Sequence, residues 1–241
     1  MWMSAGLRLP IVVLLAAVTN YTALAASNPP AAAPRGPLFE RALKVPPQDL
    51  AASYLTVDGM ALWTDFACKG GNIHTMFDGR PVVIDASNAE RYARAYSERR
   101  AAYAAAIEKR GFPKIAGTYS ARTNSACSEV RAGAILPGVG QEGLPSEITV
   151  TQDGFKIALA QGLGSDIQGA TLSHPGTVVE SSIVVTDAMA SDFIYVGSVK
   201  QDEIELRPWV EQIQASQSNY PAPFKPNRQA LSRCVISLKL R

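Results

Sequence analysis

Residues 147 to 159 read EITVTQDGFKIAL, and their alternation decides the fold. Ile148 and Val150 fall on one face of an extended run, Gln152-Asp153-Gly154 has the composition of a tight turn, and Phe155, Ile157 and Leu159 alternate on the return. An apolar period of two on both sides of a glycine-bearing turn predicts a β-hairpin with one buried face. Outward from this hairpin the same period recurs in both directions. Ile115–Ser120 (IAGTYS) begins the series, with Cys127–Ala134 as a further candidate strand, and a Gly/Pro-rich loop from Leu136 to Pro145 leads into the hairpin. Past it, a second flexible loop from Gln161 to Gly176 precedes the valine-rich run Thr177–Thr186. Asp192–Val199 and Glu203–Leu206 form another hairpin. There Ile204 and Leu206 point one way and Glu203 and Glu205 the other, as in a sheet with one wet face. Arg207–Asn227, with Pro208, Pro221, Pro223 and Pro226, is expected as a surface excursion, and Leu231–Leu240 as the last strand.

Roughly seven or eight short strands joined by turns, with no helix between them, argue for an antiparallel meander rather than a parallel sheet. Such a sheet must close or stack to hide its apolar face. Two hairpins in chain order favour a closed barrel over a sandwich. Upstream, the pattern changes to a helical one over residues 88–110. Ser87 and Glu90 have the spacing of a capping box, alanine fills the interior, and Lys109 and Arg110 complement the negative end of the helix dipole before Gly111 and Pro113 stop it. Tyr92, Tyr96, Tyr103 and Ile107 form one stripe, expected to pack on the β module. Arg91, Arg94, Arg99 and Arg100 read as a solvated flank.

Between Gln48 and Thr56 a short helical turn is expected, ending at Asp58-Gly59. Met60–Ala67 and Pro81–Ile84 are apolar runs separated by Lys69-Gly70-Gly71-Asn72 and by the hairpin signal Asp78-Gly79, so this region reads as a strand pair or a cap. At the N-terminus, Arg8 precedes the uncharged run Leu9–Val18, and Ala23-Leu24-Ala25 has the small residues of a cleavage site. This is the layout of a secretory signal peptide cut after Ala25. The fold class is therefore α+β, in four parts: a leader over 1–25, a Pro/Ala-rich linker over 26–47, a small segment over 48–112 carrying the helix, and the β module over 113–241. In the linker, repeated proline argues for a semi-extended tether.

An apolar share of 47% in 241 residues supplies a core, and loss of Arg8 with the leader brings the 23 basic side chains to within one of the 21 acidic ones. That balance, and export, argue against nucleic acid as a partner. Three cysteines in an exported chain allow one disulfide. Cys127 with Cys234 is favoured because both lie in β-like sequence of the same module, while a Cys68 pairing remains the alternative.

No catalytic constellation stands above its plain structural explanation. His74 and His174 lie in turn-rich stretches, two histidines do not make a His-rich metal site, and neither a metal nor a cofactor is inferred. Asp65, Cys68, Lys69 and His74 form the one local cluster with the elements of an activated thiol, against which a bonded or merely buried cysteine is the commoner outcome. Asp202, Glu203 and Glu205 read as a solvated strand face. The glycines at Gly138, Gly140, Gly143, Gly162, Gly164 and Gly169 do not open a helix after a buried strand, as a phosphate loop requires. Gly117-Thr118-Tyr119, opening the first strand after a helix, resembles the calycin group of lipocalin-like barrels, whose pattern has tryptophan where Tyr119 stands. The resemblance covers three residues and carries no binding residue across.

The first functional expectation is a non-enzymatic exported module whose barrel takes a small apolar ligand or a lipid, with Tyr119, Phe155 and Tyr195 as inward-facing aromatics that bind it. The alternative is a protein-interaction or envelope component, such as an inhibitor or assembly accessory, working through Leu136–Pro145 and Gln161–Gly176. No transmembrane span is expected after cleavage of the leader.

Overall fold

The computed structural model describes residues 37–67, 71–78, 80–130, 147–162, 171–188, 193–211, 213 and 227–241. The expected leader and the first part of the linker lie outside them. Elements run in the order α1 (Pro37–Ala42), α2 (Pro47–Ala67), β1 (Ile73–Phe77), β2 (Arg80–Ile84) and α3 (Ala89–Arg110). The strands β3 (Gly117–Thr123), β4 (Glu147–Asp153), β5 (Lys156–Gly162), β6 (Thr171–Val179), β7 (Ser182–Thr186), β8 (Ile194–Lys200), β9 (Glu203–Pro208) and β10 (Ile236–Leu240) follow, with a 3-10 turn at Ser125–Glu129 and a short helix α4 (Arg228–Arg233).

The strands β3 to β10 form a closed antiparallel barrel of eight. Each pairs with its neighbours in the chain, and β10 closes the ring by pairing with both β9 and β3. The expected alternation supplies the interior. Tyr119 lies opposite Ile148, Val150 opposite Leu159, Val178 opposite Ile183, Val185 opposite Tyr195, and Ile204 opposite Leu238, all buried. Because paired residues share a face, these rows stack into one continuous core.

The connections divide between the two ends of the barrel. Two-residue turns join β4 to β5, β6 to β7 and β8 to β9 at one end, each with its first residue at positive φ: Gly154 at 60°, Glu180 at 53° and Gln201 at 50°. A left-handed first residue suits the right-handed twist of a tight hairpin. All the long connections leave from the opposite end, hereafter the mouth. The disulfide between Cys127 and Cys234 is formed as expected. Lying just after β3 and just before β10, it ties together the strands that close the ring.

A second core lies outside the barrel. Leu50, Tyr54 and Val57 of α2 pack with Tyr92, Tyr96, Tyr103 and Ile107 of α3, and Phe155, Val179 and Val184 join them from the barrel's outer wall. The tyrosine stripe is therefore buried as expected, but mainly against α2 and the β1–β2 hairpin, and α2 is the helix laid on β6 and β7. This coverage explains a misreading. Thr177–Thr186 reads as one valine-rich strand, whereas it holds the end of β6, a turn at Glu180-Ser181 and all of β7. Where an outer face is covered, both faces are apolar, and the period of two disappears.

Several other expectations are corrected. Within the stretch expected as a semi-extended tether, Pro37–Ala42 is helical and Pro47 opens α2, where the missing N–H is no loss. α2 continues through Gly59 to Ala67, so Met60–Ala67 is helix rather than strand. An interior glycine costs only about 1 kcal/mol relative to alanine, less than burying Leu50, Tyr54 and Val57 supplies. The Asp78-Gly79 hairpin exists, but Pro81–Ile84 pairs with Ile73–Phe77. Ser87 does not cap α3: its N–H donates to Asp85 Oδ1 at 2.8 Å, forming an Asx turn. Arg99 is not solvated but buried, donating to Asp78 Oδ2 at 2.7 Å with its guanidinium 3.8 Å from the centre of the Phe77 ring. Ser125–Glu129 makes a 3-10 turn where a strand was expected over Cys127–Ala134. Leu231–Arg233 ends α4, whose cap Asn227 accepts from the N–H groups of Gln229 and Ala230, and only Ile236–Leu240 is strand.

Candidate functional site

Three polar residues interrupt the barrel's apolar lining near its mouth. Counting by twos along the inner face of β5 gives Ile157, Leu159 and then Gln161. Counting back along β6 from Val178 gives Gly176 and then His174, which stands opposite Leu159. Past the end of β7, beyond Ile183 and Val185, comes Asp187, whose N–H donates to Phe193 O at 2.9 Å. Gln161 and His174 are 0% exposed and Asp187 is 1% exposed. In register Gln161 and His174 are diagonal neighbours on adjacent strands, a separation long side chains span.

The hydrogen bonds define the state of the imidazole. His174 Nδ1 accepts from the N–H of Ala188 at 3.0 Å. A nitrogen that accepts carries no proton, so the neutral ring holds its proton on Nε2. Burial lowers the pKa of His174, and the nearby Asp187 carboxylate opposes this without reversing it. At neutral pH the 3.9 Å approach of Nδ1 to Asp187 Oδ1 therefore brings a carboxylate to a neutral ring, not to an imidazolium. Nε2 of His174 and both amide atoms of Gln161 are buried with no hydrogen-bond partner. Each such group costs about 1–3 kcal/mol when left unsatisfied. A wall of this kind has the donors and acceptors of a recognition site.

The aromatics singled out from sequence separate here. Tyr119 and Tyr195 are buried in the barrel core, as expected. Tyr119 donates from its hydroxyl to Ile115 O at 2.8 Å, close to the turn end, and burial raises its pKa. Tyr195 lies near the mouth, opposite Pro208 and Val185. Phe155 does not face inward. As the residue leaving the β4–β5 turn it packs in the outer core, edge-on to Tyr54 with ring centres 4.8 Å apart.

The activated-thiol cluster is not assembled among the described residues. His74 is exposed on β1 opposite Val83, Asp65 lies in α2, and Cys68 and Lys69 are outside the described residues. Both histidines stand on strands rather than in turns. Among the described residues no group of three His, Cys, Asp or Glu side chains is placed to hold a metal ion. Glu205 pairs with Arg207 at 2.9 Å on the solvated side of β9. Of the two loops expected to make protein contacts, Leu136–Pro145 lies outside the described residues. The second is largely strand at both ends, in β5 up to Gly162 and in β6 from Thr171.

Gln161, His174 and Asp187 lie outside the apolar runs that end at Leu159 and span Thr177–Thr186, so the apolar pattern alone does not mark them. Extending each strand by its own period would have placed a polar residue at an inner position. No helix among the described residues is long and apolar enough to cross a membrane. No family model matches the chain, and no curated protein or solved structure matches it.

Proposed function

We propose that the chain is an exported, non-enzymatic binding module that takes one small, largely apolar molecule at the mouth of its barrel. The observation that carries this reading is the set of polar atoms on Gln161 and His174, fully buried and unpartnered on a wall whose other polar interruption is Asp187. Natural interiors seldom leave three such atoms together without a ligand or ordered water to meet them. Barrels of about eight strands are either filled by side chains or hold one small ligand. Binding is favoured over turnover because the basic nitrogen of His174 is already engaged by Ala188, leaving an N–H donor where a general base would need a lone pair. Export is supported by the leader-like N-terminus and by the Cys127–Cys234 bond, which persists in oxidising compartments.

Native mass spectrometry of the purified protein tests the reading. The expected spectrum shows a bound small molecule that is lost on denaturation and depleted in Gln161→Met. A bare polypeptide mass, together with no uptake from an extract of the source cells, would exclude it.

A further inference from the structure

The proton placement on His174 decides which head groups the mouth accepts. The ring presents an N–H at Nε2, and Gln161 adds an amide NH2 and a carbonyl oxygen, all without partners. Donors therefore outnumber acceptors on this wall. The formal charge beside it is negative, since Asp187 lies 3.9 Å from Nδ1, on the far side of the imidazole. No described arginine or lysine occupies an inner-face position of β3 to β10. Among the described residues the one buried arginine, Arg99, belongs to the outer core and is held by Asp78.

Three classes of head group can be weighed against this pattern. A carboxylate or phosphate would be desolvated beside Asp187 with no buried cation among the described barrel residues to meet it. An ammonium would bring several donors to a wall with one unpartnered acceptor and two facing donor groups. An uncharged carbonyl with an adjacent N–H matches the pattern atom for atom.

Resting on the binding reading above, we propose that Gln161 and His174 form a site for an uncharged amide- or lactam-type head on an apolar body. Its carbonyl oxygen accepts from His174 Nε2–H and from the Gln161 amide on its two lone pairs, and its N–H donates to Gln161 Oε1. The apolar body lies against Leu159, Val185, Phe193 and Tyr195, which are fully buried residues of the same core. Ala188, by holding Nδ1, acts as a positioning residue: without that bond the ring could present a lone pair and the preference would change.

The test is calorimetric titration of the full chain, purified free of ligand, with octanamide, octanoate and octylammonium at pH 7.5. These probes share one apolar body and differ in the head. Octanamide is expected to bind at least tenfold more tightly than either charged probe. Gln161→Met is expected to lose at least tenfold in octanamide affinity while melting no lower than the wild type. His174→Phe is expected to weaken octanamide similarly, with circular dichroism checking that it folds. Octanoate or octylammonium binding as tightly as octanamide would overturn the head-group assignment and leave the binding reading standing. So would a Gln161→Met variant with wild-type affinity, or a co-purifying molecule without an uncharged carbonyl beside an N–H. Failure of all three probes, with a bare polypeptide mass in the native spectrum, would overturn both.

Discussion

Replacing Gln161 with methionine should make the protein more stable. Methionine keeps the unbranched shape of glutamine and removes both amide atoms that lie buried without partners. Each atom forfeits about 1–3 kcal/mol, and a swap that nearly conserves volume returns less than about 1.5 kcal/mol of that as strain. For the two atoms together that is about 2–6 kcal/mol, so the expected net gain is at least about 0.5 kcal/mol. At about 2–4 °C for each kcal/mol in a domain of this size, the rise in Tm is measurable by calorimetry. Urea unfolding of the ligand-free protein, followed by circular dichroism and read from the midpoint at unchanged slope, gives the same quantity independently. A loss of more than 1 kcal/mol would refute the reasoning, because it would mean that the amide is held in the folded protein. A gain in stability joined to a loss of binding is the pattern of a group retained for recognition at a cost in stability.

Other perturbations separate the parts of the fold. Cys234→Ser should lower stability by about 4–5 kcal/mol if constraint of the unfolded chain dominates, since the bond spans a sequence separation of 107; a midpoint shift below about 1 kcal/mol would contradict this. Gly197→Ala should cost about 3 kcal/mol or more, because an added Cβ would stand 1.7 Å from the carbonyl oxygen of Glu205 in the paired strand. At Gly117 the nearest obstacle, at 2.6 Å, is the movable end of Leu240, so Gly117→Ala should cost clearly less, and urea midpoints rank the two. His174 gives the pH dependence. Its folded pKa is lowered by burial from an ordinary 6.5, so below that value the unfolded chain binds more protons. Its contribution to stability is complete above about pH 6.5 and is lost as the pH falls toward the folded pKa. His174→Phe should flatten that dependence in urea midpoints between pH 5 and 7, and a wild type that gains stability on acidification through this window would show an imidazolium paired with Asp187.

The sequence by itself determined the antiparallel meander, its hairpins at Gly154 and Gln201, and the long helix, and it favoured the pairing of Cys127 with Cys234 over one through Cys68, which the structure decided. These follow from local rules: the side-chain period, the chemistry of turns, and redox parity. Ile148, Val150, Ile204 and Leu206 announce which face is buried without reference to anything distant. What only the tertiary structure decided is whatever a covering layer changes. α2 hides the outer wall at Val179 and Val184, which erased the alternation there and concealed the turn between β6 and β7. Phe155 looks inward-facing by sequence yet serves the outer core, because the residue leaving a turn is claimed by Tyr54 across the helix–barrel seam. The candidate site exists only as a convergence. Gln161 and His174 sit on adjacent strands and Asp187 just past the end of the next, and their neighbourhood is set by inter-strand register, which no single strand encodes.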